Sequence, residues 1–123
     1  MSVDMPYKER RLRGKTLPQF QAEIDEWVQS VGAGYWSPHE NLARIAEEVG
    51  ELARLLNHLY GPKPKKASEA AQELGEELAD IIFAIVCLAN SQGIDLGENL
   101  EGVIAKVWQR DRNRYQPLST QSG

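Results

Sequence analysis

The sequence predicts an all-α domain, an antiparallel four-helix bundle-like fold, on three observations. Every long segment beyond residue 15 places apolar residues at helical spacing, no segment alternates apolar and polar residues as a half-buried strand does, and each helical segment sits between start and stop signals. The chain has 123 residues, 41% hydrophobic and 26% charged, which suits one globular domain. Such a domain buries roughly two-thirds of its unfolded surface, enough for a small core. Residues 1–15 are polar, basic and aperiodic and are expected to form a loose arm. The domain is expected over residues 16–115, and 116–123 as a frayed tail.

The first helix is expected from about Thr16 to Val31, with Phe20, Ile24, Trp27 and Val28 on one stripe and Gly32 and Gly34 as stops. The second opens at Ser37-Pro38-His39-Glu40: Ser37 caps, Pro38 suits the first turn, and Glu40 closes a capping box. It carries Leu42, Ile45, Val49, Leu52, Leu55, Leu56 and Leu59 before Gly61-Pro62-Lys63-Pro64 ends it. The third runs from near Ser68 to about Ser91 and stops at Gly93. The fourth opens with a second capping-box pattern, Asp95-Leu96-Gly97-Glu98, and continues through Val103, Ile104, Val107 and Trp108 to about Tyr115. Short connections between helices two and three, and three and four, imply antiparallel neighbours.

The second half of the third helix, Ile81 to Ala89, is apolar on every face. A helix of that kind is either a central core helix or one covered partly by another molecule. Four helices do not easily enclose it, so the reading favoured is an obligate homo-oligomer, with part of this surface against a second copy of the chain.

Composition excludes several classes. Eighteen acids against fourteen bases leave a net charge of -4, which opposes binding to a nucleic-acid polymer, although bases gather at the two ends of the chain. One cysteine, Cys87, excludes an internal disulfide and makes no cysteine-based zinc site by itself. The opening residues have no apolar segment of the signal-peptide type, and the longest apolar run, nine residues, is about half of a membrane span. The expectation is a cytoplasmic protein without a membrane partner.

The unusual feature is where the acids fall. At about 100° per residue, Glu48 and Glu51 lie about 60° apart on the second helix, on the stripe that also carries Leu52 and Leu55. On the third helix Glu77 and Asp80 repeat the i, i+3 relation, with Ala84 and Leu88 following on nearly the same line. Two acidic pairs therefore point along the apolar seam. An uncompensated buried carboxylate costs several kcal/mol, and four could overwhelm a domain stable by only about 5–15 kcal/mol. Arg44 and Arg54 are the only bases within helix two, and helix three has none, so a bound cation is the simpler compensation. An all-oxygen ligand set indicates a hard ion, Mg²⁺ or Mn²⁺. A di-iron bundle needs Glu-x-x-His pairs, and neither His39 nor His58 has a glutamate three positions earlier. Glu69, Glu73 and Glu76 read equally well as a solvated face.

Glu47-Glu48-x-x-Glu51, then 25 residues, then Glu77-x-x-Asp80 resembles the signature of the MazG-like all-α nucleoside triphosphate pyrophosphohydrolases. The flanking text, Ala46 to Ala53 and Glu76 to Phe83, fits as well, and the resemblance covers about residues 17–115. It implies Mg²⁺-dependent cleavage of a (d)NTP between the α- and β-phosphates, giving (d)NMP and pyrophosphate, in nucleotide-pool cleaning. It implies further that Glu48, Glu51, Glu77 and Asp80 hold the metal, and that Glu47 orients or deprotonates the attacking water. The family's basic last-helix segment is matched in type by Lys106 and Arg110, which share a face at i, i+4; a solvated basic helix end reads the same way. Family members assemble as dimers or as tetramers built from dimers.

For the base, Trp36 beside Tyr35 is the stacking candidate, and Asn90 either reads a base edge or caps the third helix. Trp27 and Phe20 read as core, His39 and His58 as surface, and Cys87 as packing. Within the superfamily the alternatives are a phosphoribosyl-ATP pyrophosphohydrolase or a dUTP/dUDP-specific enzyme. Outside it stand a non-catalytic nucleotide-binding helical sensor, which binds without turnover, and a purely structural oligomer indifferent to divalent ions.

Overall fold

The computed structural model describes residues 14–61, 67–112 and 114, and among them it contains four helices and no strand. The expected basic arm up to residue 13, the lysines of the helix two–three turn, and the C-terminal tail lie outside the described residues. Lys15, the end of the arm, forms an ion pair with Glu23.

The helices begin where local chemistry starts them. In α1 (Leu17–Ser30) Thr16 Oγ1 accepts from Gln19 N, and Gln19 Oε1 accepts in return from Thr16 N at 2.8 Å. In α2 (Pro38–Leu59) Ser37 and Glu40 make the same reciprocal pair, at 3.2 and 3.1 Å, with Pro38 in the first turn. The Ser37 hydroxyl and amide hold the Glu40 carboxyl below its usual range. α3 (Ala67–Ser91) ends in a turn with Gly93 at φ +67° and Ile94 N donating to Ala89 O. In α4 (Leu96–Asp111) Asp95 Oδ1 accepts from Glu98 N, but Glu98 does not return the bond, so the second capping box is only half made. Instead, Asn99 Nδ2 donates to Asp95 O.

α2 and α3 form the main pair, and α1 packs against α3. Residues near the start of α2 (Asn41, Arg44) meet Ala84 and Cys87, whereas those near its end (Arg54, His58) meet Glu73 and Glu76. The pair is therefore antiparallel, as expected. The buried apolar core consists of Val28, Leu59, Ala84, Val86 and Ala89, and Trp27 meets Phe83 edge-on at 6.0 Å.

The fourth helix departs from the expected bundle. The chain bends by 109° between α3 and α4, and α4 packs on α1 instead of lying antiparallel to α3. The Gln21 side chain bridges the bend. Its Nε2 donates to Asn90 Oδ1 and to Ile94 O, both at 2.9 Å, and its Oε1 accepts from Leu96 N at 3.0 Å. The first turn of α4 is thereby tied to α1 before the helix can fold back. α4 also ends at Asp111, short of Tyr115, where the Asp111 carboxylate gathers Arg110 and Arg114 into a turn. Leu100, Val103, Ile104, Val107 and Trp108 remain exposed along it. Ile82, Phe83 and Ile85 in the all-round apolar stretch of α3 are likewise exposed, so the described residues do not enclose that stretch.

Among the described residues no single helix is long and apolar enough to cross a membrane.

Candidate active site

Three of the expected acids converge. Carboxylate oxygens of Glu48, Glu51 and Glu77 lie within 4.8 Å of one another, between α2 and α3. Glu48 is buried, and Arg44, one turn before it, donates from Nε to Glu48 Oε1 at 2.9 Å. Glu77 Oε1 is buried without a hydrogen-bond partner, facing carboxylates that offer no donor while they are ionised. The Glu48 carboxyl, together with desolvation and the charges of Glu51 and Asp80, pushes the Glu77 carboxyl up to about 7. An orphaned carboxylate oxygen in a set of hard oxygen donors is the arrangement a divalent cation satisfies.

Asp80 lies on the rim of the same cleft, outside the three-acid group, where its charge still acts on Glu77. Glu47 is exposed and also stands outside the group. It sits about one turn before Glu51 on nearly the same line of α2.

Two openings flank the cluster. An open cleft of about 410 Å³ is lined by Glu51, Arg54, Leu55, His58, Glu73, Glu76, Glu77 and Asp80. A cavity of about 210 Å³ on the other side is walled by Trp27, Trp36, Tyr35, Phe83 and Cys87, with Asn41 and Arg44 as its polar groups from α2. The α1–α2 loop shapes this cavity. Gly32 packs so closely that a Cβ there would meet Trp27 Cζ3 at 3.0 Å, and Gly34 takes φ +96°. That turn brings Tyr35 and Trp36 back beside α1. Tyr35 OH donates to Asp25 Oδ1 at 2.6 Å, and burial together with this carboxylate raises the phenol to about 12. Burial also raises the Cys87 thiol, in keeping with a packing role.

Trp36 lines the cavity. Asn90 does not: its amide is engaged by Gln21, accepting from Gln21 Nε2 and donating to Gln21 O at 2.9 Å. The side-chain amide that lines the cavity is instead that of Asn41, 4% exposed, with Nδ2 bonded to Trp36 O. Its place seven residues before Glu48, on the same face of α2, was the available signal. Trp27 is a cavity wall rather than core, half-exposed at 50%. Lys106 and Arg110 line neither opening within one chain, and Arg110 is paired to Asp111 through two bonds of 3.1 and 3.0 Å. His58, expected at the plain surface, lines the acidic cleft.

An all-α scaffold with paired acids on two antiparallel helices defines a class, and comparison with known proteins agrees. Residues 36–115 match the MazG nucleotide pyrophosphohydrolase domain, and the chain belongs to this family of hydrolases that act on pyrophosphate bonds. It is 46% identical over 101 residues to YpjD, an uncharacterized protein of Bacillus subtilis (strain 168), covering 82% of this chain and 91% of that one. The crystal structure of B. subtilis YpjD superimposes with a TM-score of 0.67, covering 77% of this chain and 97% of that chain. A crystal structure of the Bacillus-conserved MazG protein, a nucleotide pyrophosphohydrolase, is 38% identical with a TM-score of 0.66, covering 77% and 92%.

Proposed function

We propose that this chain hydrolyses nucleoside triphosphates between the α- and β-phosphates, in a divalent-metal-dependent reaction with Mg²⁺ as the natural ion and Mn²⁺ as a substitute, in the service of nucleotide-pool cleaning. The observation that carries the reading is the orphaned Glu77 oxygen facing Glu48 and Glu51 beside an aromatic cavity. Water adds across one anhydride bond, so the products are a monophosphate and pyrophosphate.

Glu48, Glu51 and Glu77, with Asp80 at the rim, would hold the metal. Bound there, it supplies charge neutralisation at the phosphate oxygens and activation of water. Arg44 orients the Glu48 carboxylate through their 2.9 Å contact. Glu47, beside the cluster but outside it, accepts the proton of the attacking water. Trp36 and Trp27 present aromatic faces to the base, and the Asn41 amide reads its edge. The working unit is a homo-oligomer, a dimer or a dimer of dimers. Its second copy covers the exposed apolar faces of α3 and α4, and through that contact Lys106 and Arg110 can approach a triphosphate.

The test is pyrophosphate release across a panel of common and damaged NTPs and dNTPs with Mg²⁺, and with EDTA as the control. Metal-dependent formation of monophosphate plus pyrophosphate is expected. Saturable binding without turnover on any member would replace this reading with the sensor.

A further inference from the structure

The cleft on the far side of the cluster from the aromatic cavity holds two groups that the proposed reaction has not yet used. Arg54 and His58 stand one turn apart on α2 and share the cleft with Glu51, Glu73, Glu76, Glu77 and Asp80. Among the described residues Arg54 makes no ion pair or hydrogen bond, although five carboxylates line the same opening. His58 likewise makes none. The contrast with Arg44 is direct, since that arginine is spent on Glu48 at 2.9 Å.

The order of groups along α2 gives the cleft a direction. Asn41 and Arg44 serve the cavity, Glu48 and Glu51 the acid cluster, and Arg54 and His58 the cleft. At about 1.5 Å per residue, Asn41 lies about 10 Å before Glu48, and Arg54 about 5 Å beyond Glu51. A ligand with a flat ring in the cavity and its first phosphate at the cluster therefore runs toward the C-terminal end of α2. Its distal phosphates enter the open cleft, whose wall is otherwise acidic. A phosphate anion there needs a cationic donor, and a guanidinium presents paired N–H groups matched to phosphate oxygens.

We propose that Arg54, with His58 one turn beyond it, binds the distal phosphates of the substrate and hence the departing pyrophosphate. This rests on the reading of the chain as a triphosphate pyrophosphohydrolase. It gives the substrate a polarity: nucleoside at the N-terminal half of α2, pyrophosphate at the C-terminal half.

Titration calorimetry with inorganic pyrophosphate and Mg²⁺ tests it, using the full-length wild type, Arg54→Gln, Arg54→Lys and His58→Gln. Arg54→Gln is expected to weaken pyrophosphate binding by about tenfold or more, the usual size of a lost hydrogen bond to a charged group. A nucleoside monophosphate should bind within about twofold of wild type, because it does not reach the cleft. Arg54→Lys should recover part of the loss, His58→Gln should lose less than Arg54→Gln, and KM for the triphosphate should rise with the pyrophosphate Kd. Pyrophosphate binding unchanged in Arg54→Gln overturns the proposal, as does an equal loss of monophosphate binding, which would mean that Arg54 acts through the cluster or the fold. A wild type that releases pyrophosphate from triphosphates, yet binds pyrophosphate independently of Arg54, defeats this inference alone. A wild type without turnover on any triphosphate defeats the reading beneath it.

Discussion

Replacing Gln21 by methionine removes three hydrogen bonds while nearly keeping the side-chain volume, so the result reports hydrogen bonding and not a cavity. The bonds run from Nε2 to Asn90 Oδ1 (2.9 Å), from Nε2 to Ile94 O (2.9 Å) and from Leu96 N to Oε1 (3.0 Å). Two are partly buried and are worth about 1 kcal/mol each, whereas the bond to Ile94 O is exposed and worth less, so the sum is about 2–3 kcal/mol. For a domain of this size that lowers Tm by roughly 8–12 °C. Thermal and urea unfolding at one fixed protein concentration measure it, since association couples to stability. A loss under about 0.5 kcal/mol would refute the idea that these bonds hold α4 at its angle.

Glu51→Gln and Asp80→Asn should each abolish turnover while leaving the helical signal intact and the metal-free Tm unchanged or higher, because each relieves carboxylate repulsion; near-normal turnover by either variant removes that residue from the metal set. The Glu77 carboxyl is raised from 4.5 to about 7, so between those values the folded state holds more protons than the unfolded chain and stability falls as pH rises through that window. The Tm of the EDTA-treated protein should therefore drop from pH 5 to pH 8, Mg²⁺ should reverse the drop at pH 8, and Glu77→Gln should flatten it. Glu40 and Asp111, held below their usual values by Ser37 and by Arg110, lose their contributions only at lower pH and leave this window clear. Trp36→Ala should raise KM for a triphosphate by about tenfold or more with kcat little changed, the size of a lost base–aromatic stack; a fall in kcat at constant KM would take Trp36 out of base binding.

Much of this architecture is legible in the sequence, and what is legible there is local. The reciprocal Thr16–Gln19 and Ser37–Glu40 caps span three residues. The stop at Gly93 needs only a left-handed φ. Likewise, the helical period alone puts Glu48 and Glu51 on one face of α2. The pairing of those acids with Glu77 followed from two apolar stripes that must meet, and Glu48, Glu51 and Glu77 do converge.

What escaped the sequence joins residues far apart in the chain. The i, i+3 spacing made Asp80 equivalent to Glu77, and only the helix packing sets one at the rim and leaves the other with a buried, unpartnered oxygen. Asn90 stood as a polar residue after an apolar run, with nothing local to show that Gln21, 69 positions earlier, engages its amide. That same glutamine bonds the first turn of α4, and the loop at Gly32 and Gly34 lines one cavity together with Trp27. A hydrogen bond spanning three or four residues is dictated by the helix that contains it. One spanning about seventy depends on the crossing angle of two helices, which every side chain between them sets together.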